Sequence, residues 1–274
     1  MATENPTPEV REFEAKSAVA IFGAPISWVA LFGALIGALS IVPLLMYPFG
    51  GGFMSAGMGI FGPITGILLG PWAGAVAGAI GGFIGMMISP AAYPLGFVDV
   101  VLSGVLLPFS WGLLVPKHRK LLFVMFPVHA FIYWLFPYHW PANAVGLTVA
   151  NEPQWILGIN WTWLSAIIFI VGAPTLWKWM QSEVKGRAIF GLVINCWLAA
   201  ALWAMPWVYP YSYLVRYPYE VAILGFVTSW LNTLLPVTAI SSIIGYFLIQ
   251  AVLKGSLRKV PGSWVDSFDF KFGD

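Results

Sequence analysis

The sequence predicts an all-α fold: a polytopic transmembrane bundle of about eight helical spans. Three observations carry this reading. The 274-residue chain is 59% hydrophobic and 9% charged, with mean hydropathy +0.84, whereas a soluble domain carries about 25% charged residues. Apolar runs close to the ~20 residues that a bilayer demands recur along its length. Threading those runs alternately through a membrane puts twelve of the thirteen Lys and Arg residues on one side.

Residues 1–17 are polar and show no signal-peptide pattern, so they read as a short cytoplasmic leader. The membrane domain is expected over 18–252, followed by a cytoplasmic tail at 253–274. The spans fall roughly at 18–47, 53–69, 71–89, 95–116, 121–137, 155–177, 188–208 and 222–252. The second and fifth are short, and the first and last are long enough to tilt. Pro48 to Gly52, Gly70-Pro71, Pro90 to Pro94 and Lys117 to Lys120 separate the first five. The later breaks are 138–154, Lys178 to Arg187, and 209–221.

With the N-terminus inside, the inner side receives Arg11, Lys16, Lys117, Arg119, Lys120, Lys178, Lys185, Arg187, Lys254, Arg258, Lys259 and Lys271. Only Arg216 falls outside. Both termini are then cytoplasmic, and an odd number of spans would spoil the pattern. This predicts a multi-pass protein of the plasma membrane, in contact with lipid. No run suggests nucleic-acid binding. Cys196 is the single cysteine, so no disulfide can form within one chain.

Residues 53–89 carry no charge, and Gly62, Gly66, Gly70, Gly74, Gly78 and Gly82 recur at spacing four. That spacing lines one helix face with small residues and lets a neighbouring backbone approach closely. Gly70-Pro71 is expected to break the stretch into two crossings packed against each other. The first span has a second stripe, Ala30, Ala34 and Ala38, with Gly33 and Gly37 beside it. It marks a helix contact, either with another helix of this chain or with a partner subunit. The outer loops 133–155 and 207–220 are rich in Trp, Tyr and Pro. They read either as an interfacial aromatic belt or as a lid over an outward-facing pocket.

The string LLGPWAGAVAGAIGGFIG, Leu68 to Gly85, resembles the G-P-x-x-G-x-x-x-G helix of the substrate-binding (S) components of energy-coupling factor vitamin transporters. FGPITG, Phe61 to Gly66, has similar wording, the first span carries Ala-x-x-x-Ala, and the last ends in the basic KGSLRK. The resemblance covers mainly the first 115 residues. It implies six spans, against the eight counted. It also implies a vitamin-like small molecule captured from outside, with a coupling membrane subunit and ATPases as partners. The chain has no GxxxxGK[ST] phosphate loop.

An ionisable group within a span costs about 2.5–3.5 kcal/mol on insertion scales, so each is a functional candidate. Asp99, in PLGFVDVVLSG near the outer end of the fourth span, either binds a ligand amine, hydroxyl or proton, or accepts hydrogen bonds from helix ends. His129, near the middle of the fifth span, is either a neutral imidazole bonded to a carbonyl or a ligand contact. Asn160 and Asn232 fall in the outer halves of their helices. With Asp99 and the aromatics Trp161, Trp163 and Trp230 they can line one outward pocket; the bland alternative is hydrogen bonding between helices. Thr162, Ser165, Asn195, Ser229 and Thr233 complete the polar set.

His118 and His139 lie on opposite sides, and no His-x-x-x-His, Cys-x-x-Cys or Glu-x-x-His pair occurs, which argues against a metal or haem cofactor. No nucleophile–base pair or carboxylate pair suggests an enzyme. The leading expectation is a membrane solute-binding subunit. The alternative is a non-catalytic structural subunit of a respiratory or photosynthetic complex. A secondary transporter would show an internal repeat, and the glycine-rich first half does not resemble the tryptophan-rich second.

Overall fold

The computed structural model describes residues 19–47, 51–134, 153–214, 235–255 and 259–270, which are mostly helical. Among them, Gly57–Ile88 and Leu235–Lys254 are long and apolar enough to cross a membrane. The bent pair Phe97–Gly112 and Pro116–Val128 adds a third crossing if counted as one.

The chain enters through a tight reversal, β1 (Ala20–Ile21) paired antiparallel with β2 (Ala24–Pro25). Helix α1 (Ile26–Ala38) starts after Pro25 and tightens into a single turn at Leu39–Ile41. Here the expected first span is corrected: 18–47 is not one long helix. Pro43 has no amide hydrogen to extend it. β3 (Pro43–Met46) instead pairs antiparallel with β4 (Phe53–Ser55), so the all-α expectation also gains two small ladders.

A wide π-type turn, Gly57–Phe61, leads into α2 (Gly62–Ile88). Its hydrogen-bonding pattern runs through, but Gly70 has φ 79 and ψ 177. That region is open essentially to glycine alone. Pro71 then opens a second arm, where its missing amide hydrogen costs nothing. A Cβ added at Gly74 would lie 3.1 Å from the Cα of Gly66. In a straight helix residues eight apart are separated by ~12 Å, so the two arms fold back on each other at Gly70.

Helix α3 (Phe97–Gly112), with its own π-type turn at Val100–Val105, fills the groove of this hairpin. Gly66 faces the Pro108 carbonyl, Gly78 faces the Gly104 carbonyl, and a Cβ on Gly82 would sit 3.4 Å from the Gly104 Cα. Helix α1 lies on the other side of the second arm and parallel to it. Gly33 meets Ala77 and Ile80, Gly37 meets Gly81 and Ile84, and Gly85 meets Ser40 and Tyr93.

After a turn at Pro116–His118, α4 (Arg119–Trp134) leaves at 104° to α3. Helices α5 (Pro153–Met180) and α6 (Lys185–Leu214) follow. Helices α4 and α5 run antiparallel, because Phe126 stacks on Phe169 at 5.9 Å while Arg119 lies over Trp177. Asn195 joins α6 to α5, donating from Nδ2 to Met180 Sδ at 2.9 Å and to the Gly191 carbonyl at 2.8 Å. Helix α7 (Leu235–Lys254) returns along the first arm, and Ser241 donates to the Gly59 carbonyl at 2.6 Å.

The breaks gather at two ends. At one, Gly52 packs against Ala91 and Pro94. At the other, Gly70, Gly112, Gly23 and Met180 meet the C-terminal residues 259–270 or each other's neighbours. Exposed aliphatic and aromatic side chains such as Leu31, Phe83, Met87, Val124, Val171 and Phe247 form the outer surface between them.

Candidate functional site

The turn Pro90–Gly96 and the start of α3 build a buried polar corner. Gly96 precedes the helix with φ 58, and Asp99 reaches back so that its Oδ2 accepts the Leu95 amide hydrogen at 2.6 Å. An acid in the first helical turn that bonds a preceding amide satisfies a backbone donor and complements the helix dipole. Asp99 is 1% exposed and Tyr93 2%. The Tyr93 hydroxyl lies 3.3 Å from Ser40 Oγ, which itself donates to the Ile36 carbonyl at 2.8 Å. Burial pushes the Tyr93 phenol above its ordinary range; the Ser40 hydrogen bond opposes this and the nearby Asp99 adds to it. Ser103, one turn beyond Asp99 on α3, is also buried, and its hydroxyl has no partner among the described residues. This corner holds one carboxylate, one phenol and small hydroxyls, chemistry suited to hydrogen-bonding a small polar molecule.

The candidates separate into three groups. Gly70, Gly74 and Gly78 come together in the hairpin and its seam with α3. Ala30, Ala34 and Ala38 are exposed on the outer face of α1, while Gly33 and Gly37 make the internal contact. His129, Asn160 and Trp163 lie on α4 and α5, with side chains outside the described residues. Trp230 and Asn232 also lie outside them, as do His139 and most of both aromatic loops. Asn195 joins two helices, as the bland reading of the polar set had it.

Sequence reasoning missed Tyr93 and Ser40, which carry no motif. It also missed the packing within the segment read as a tail. Val260, Trp264, Val265 and Phe268 are buried, and the Trp264 indole donates to the Trp111 carbonyl at 2.8 Å. Ser263 caps the short helix α8 (Trp264–Ser267) and Asp266 Oδ2 accepts from Gly262 at 2.8 Å. The signal was present: apolar residues at 260, 264, 265 and 268 with a Ser-x-x-Asp cap at 263–266.

Among the described residues no three His, Cys, Asp or Glu side chains gather as a metal site. No family model, curated protein or solved structure matches the chain.

Proposed function

We propose that this chain is a non-catalytic solute-binding subunit of a small-molecule uptake system, resembling the substrate-binding component of energy-coupling factor transporters. It crosses the plasma membrane eight times with both termini in the cytoplasm. The corner around Asp99 lies at the outer end, beneath the aromatic loops, and contributes to a pocket for a vitamin-like solute. A coupling membrane subunit and its ATPases supply the energy.

The observation that carries this reading is the two-faced packing of α1. Its glycines are used up against the second arm, yet its alanines, Ala30, Ala34 and Ala38, face outward. Lipid gains nothing from small residues, whereas a helix from another subunit gains a close backbone approach. Replacing Ala34 with Leu adds bulk at an exposed position. The expected result is a folded chain that no longer co-purifies with a coupling subunit and ATPase pair. An Ala34→Leu chain that keeps those partners removes α1 from the docking face. For the solute, Asp99→Asn lowers affinity at least tenfold if the carboxylate is a contact, and unchanged affinity removes it.

A structural subunit of a larger complex is the second reading, and the Asp99–Leu95 hydrogen bond favours it, since that oxygen already serves the fold. Pigment- or redox-bearing partners in native mass spectrometry of the wild-type chain would select it.

A further inference from the structure

We propose that the junction of α4 and α5 binds one anionic phospholipid, with its headgroup on Arg119 and the neighbouring lysines and its acyl chains along both helices. The inference rests on the chain's lying in a membrane and not on what it transports.

The head end is a cluster of cations. Lys117, Lys120 and Lys178 are exposed, and among the described residues none of them forms an ion pair. Arg119 sits between them in a fixed pose. Its guanidinium lies 5.0 Å from the Phe123 ring centre and 5.8 Å from that of Trp177. Trp177 is backed by Phe268 of the C-terminal segment at 6.0 Å. The Arg119 Nε is buried without a partner, so an acceptor must meet the fork from its Nη edge. Glu183 and Asp269, exposed at the same end, form no ion pair with these cations. A guanidinium preordered on two rings loses less freedom on bonding a phosphodiester than a free side chain does.

The tail end is aliphatic and starts where the cations stop. Leu121, Val124 and Val128 are exposed at spacings of three and four on α4, which places them on one face. Ile167, Ile168 and Val171 are exposed on α5. The two helices meet through Phe126 and Phe169. A soluble anion has no use for this track. A zwitterionic lipid would match the track but would bring its own cation to a positive cluster. An anionic lipid fits both parts, as basic pockets between helices on the cytoplasmic side do elsewhere.

The test titrates the full chain in detergent with phosphatidylglycerol, phosphatidylcholine or inorganic phosphate, and follows bound lipid by native mass spectrometry. One phosphatidylglycerol should be retained per chain at concentrations where phosphatidylcholine is not, and millimolar phosphate should not displace it. Arg119→Gln should weaken retention roughly tenfold, the loss of one charge-assisted contact. The triple variant Lys117→Gln/Lys120→Gln/Lys178→Gln alters only exposed side chains and should do the same, so it decides the matter should Arg119→Gln misfold. Equal retention of the two lipids, displacement by phosphate, or wild-type retention in the triple variant overturns the proposal.

Discussion

The two halves of this molecule solve the same packing problem differently. From α1 to α3 the contacts are backbone to backbone, through Gly33, Gly66, Gly74, Gly78 and Gly104. From α4 to α6 they are side chain to side chain, through Phe126, Phe169, Trp177, Asn195 and Met180. Lipid tails are as apolar as leucine, so burial alone does not drive helices together in a bilayer. The first half gains dispersion from close approach and the second from ring contact and an amide bridge. A seam of glycines is therefore intolerant of added atoms, while a seam of large side chains can adjust.

Gly78→Val tests this difference most severely. Its side chain would occupy the Gly104 carbonyl, and neither backbone can yield without separating α2 from α3. We expect no monodisperse protein, a loss above the ~1–3 kcal/mol typical of overpacking. Trp264→Ala comes next. It empties a fully buried site and orphans the Trp111 carbonyl, at a cost of about 3–5 kcal/mol, and should expose residues 259–270 to limited proteolysis. Wild-type protease resistance in this variant would deny the segment its packing role. Asn195→Ala in the second half should cost only about 0.6–1 kcal/mol, read as a small shift in thermal unfolding.

Acidification acts at the junction between the halves. Burial, and then the charge of Lys117, hold His118 below its ordinary value of 6.5, against a backbone hydrogen bond with Gly262. Its neutral form is the one the fold prefers. The stability it contributes is therefore complete above about pH 6.5 and falls as pH drops below that value. Thermal unfolding measured from pH 7.5 to 5 should show this decline, and His118→Gln should flatten it. The smallest effect is expected from Gly172→Ala on α5, where an added Cβ would meet only Leu176 Cδ1 at 3.8 Å. Helix propensity then favours alanine by up to ~1 kcal/mol, so a destabilised Gly172→Ala would erase the contrast between the halves.

The hairpin was legible in the sequence because its cause is local: Gly70 and Pro71 admit only a break, and the four-residue glycine spacing names the face. The β3–β4 ladder was hidden because Pro43 to Met46 is as apolar as a helix, and only pairing with Phe53–Ser55 distinguishes them. Asp99 was found through the cost of burying its charge, but its bond to Leu95 depends on the turn at Gly96. The alanine and glycine stripes of α1 lie side by side in the chain. Which one faces inward depends on where the second arm of α2 sits, a relation between elements that spacing does not encode.

Sidedness of labelling tests the central claim most directly, that the chain reverses at Gly70 between two opposite membrane faces. In a Cys196→Ala background, single cysteines replace Met46, Trp72 and Phe97, all exposed in the structure, and an impermeant maleimide is applied to oriented vesicles. Met46→Cys and Phe97→Cys should label from outside only, and Trp72→Cys from inside only. Labelling of Trp72→Cys and Met46→Cys from the same face would contradict it.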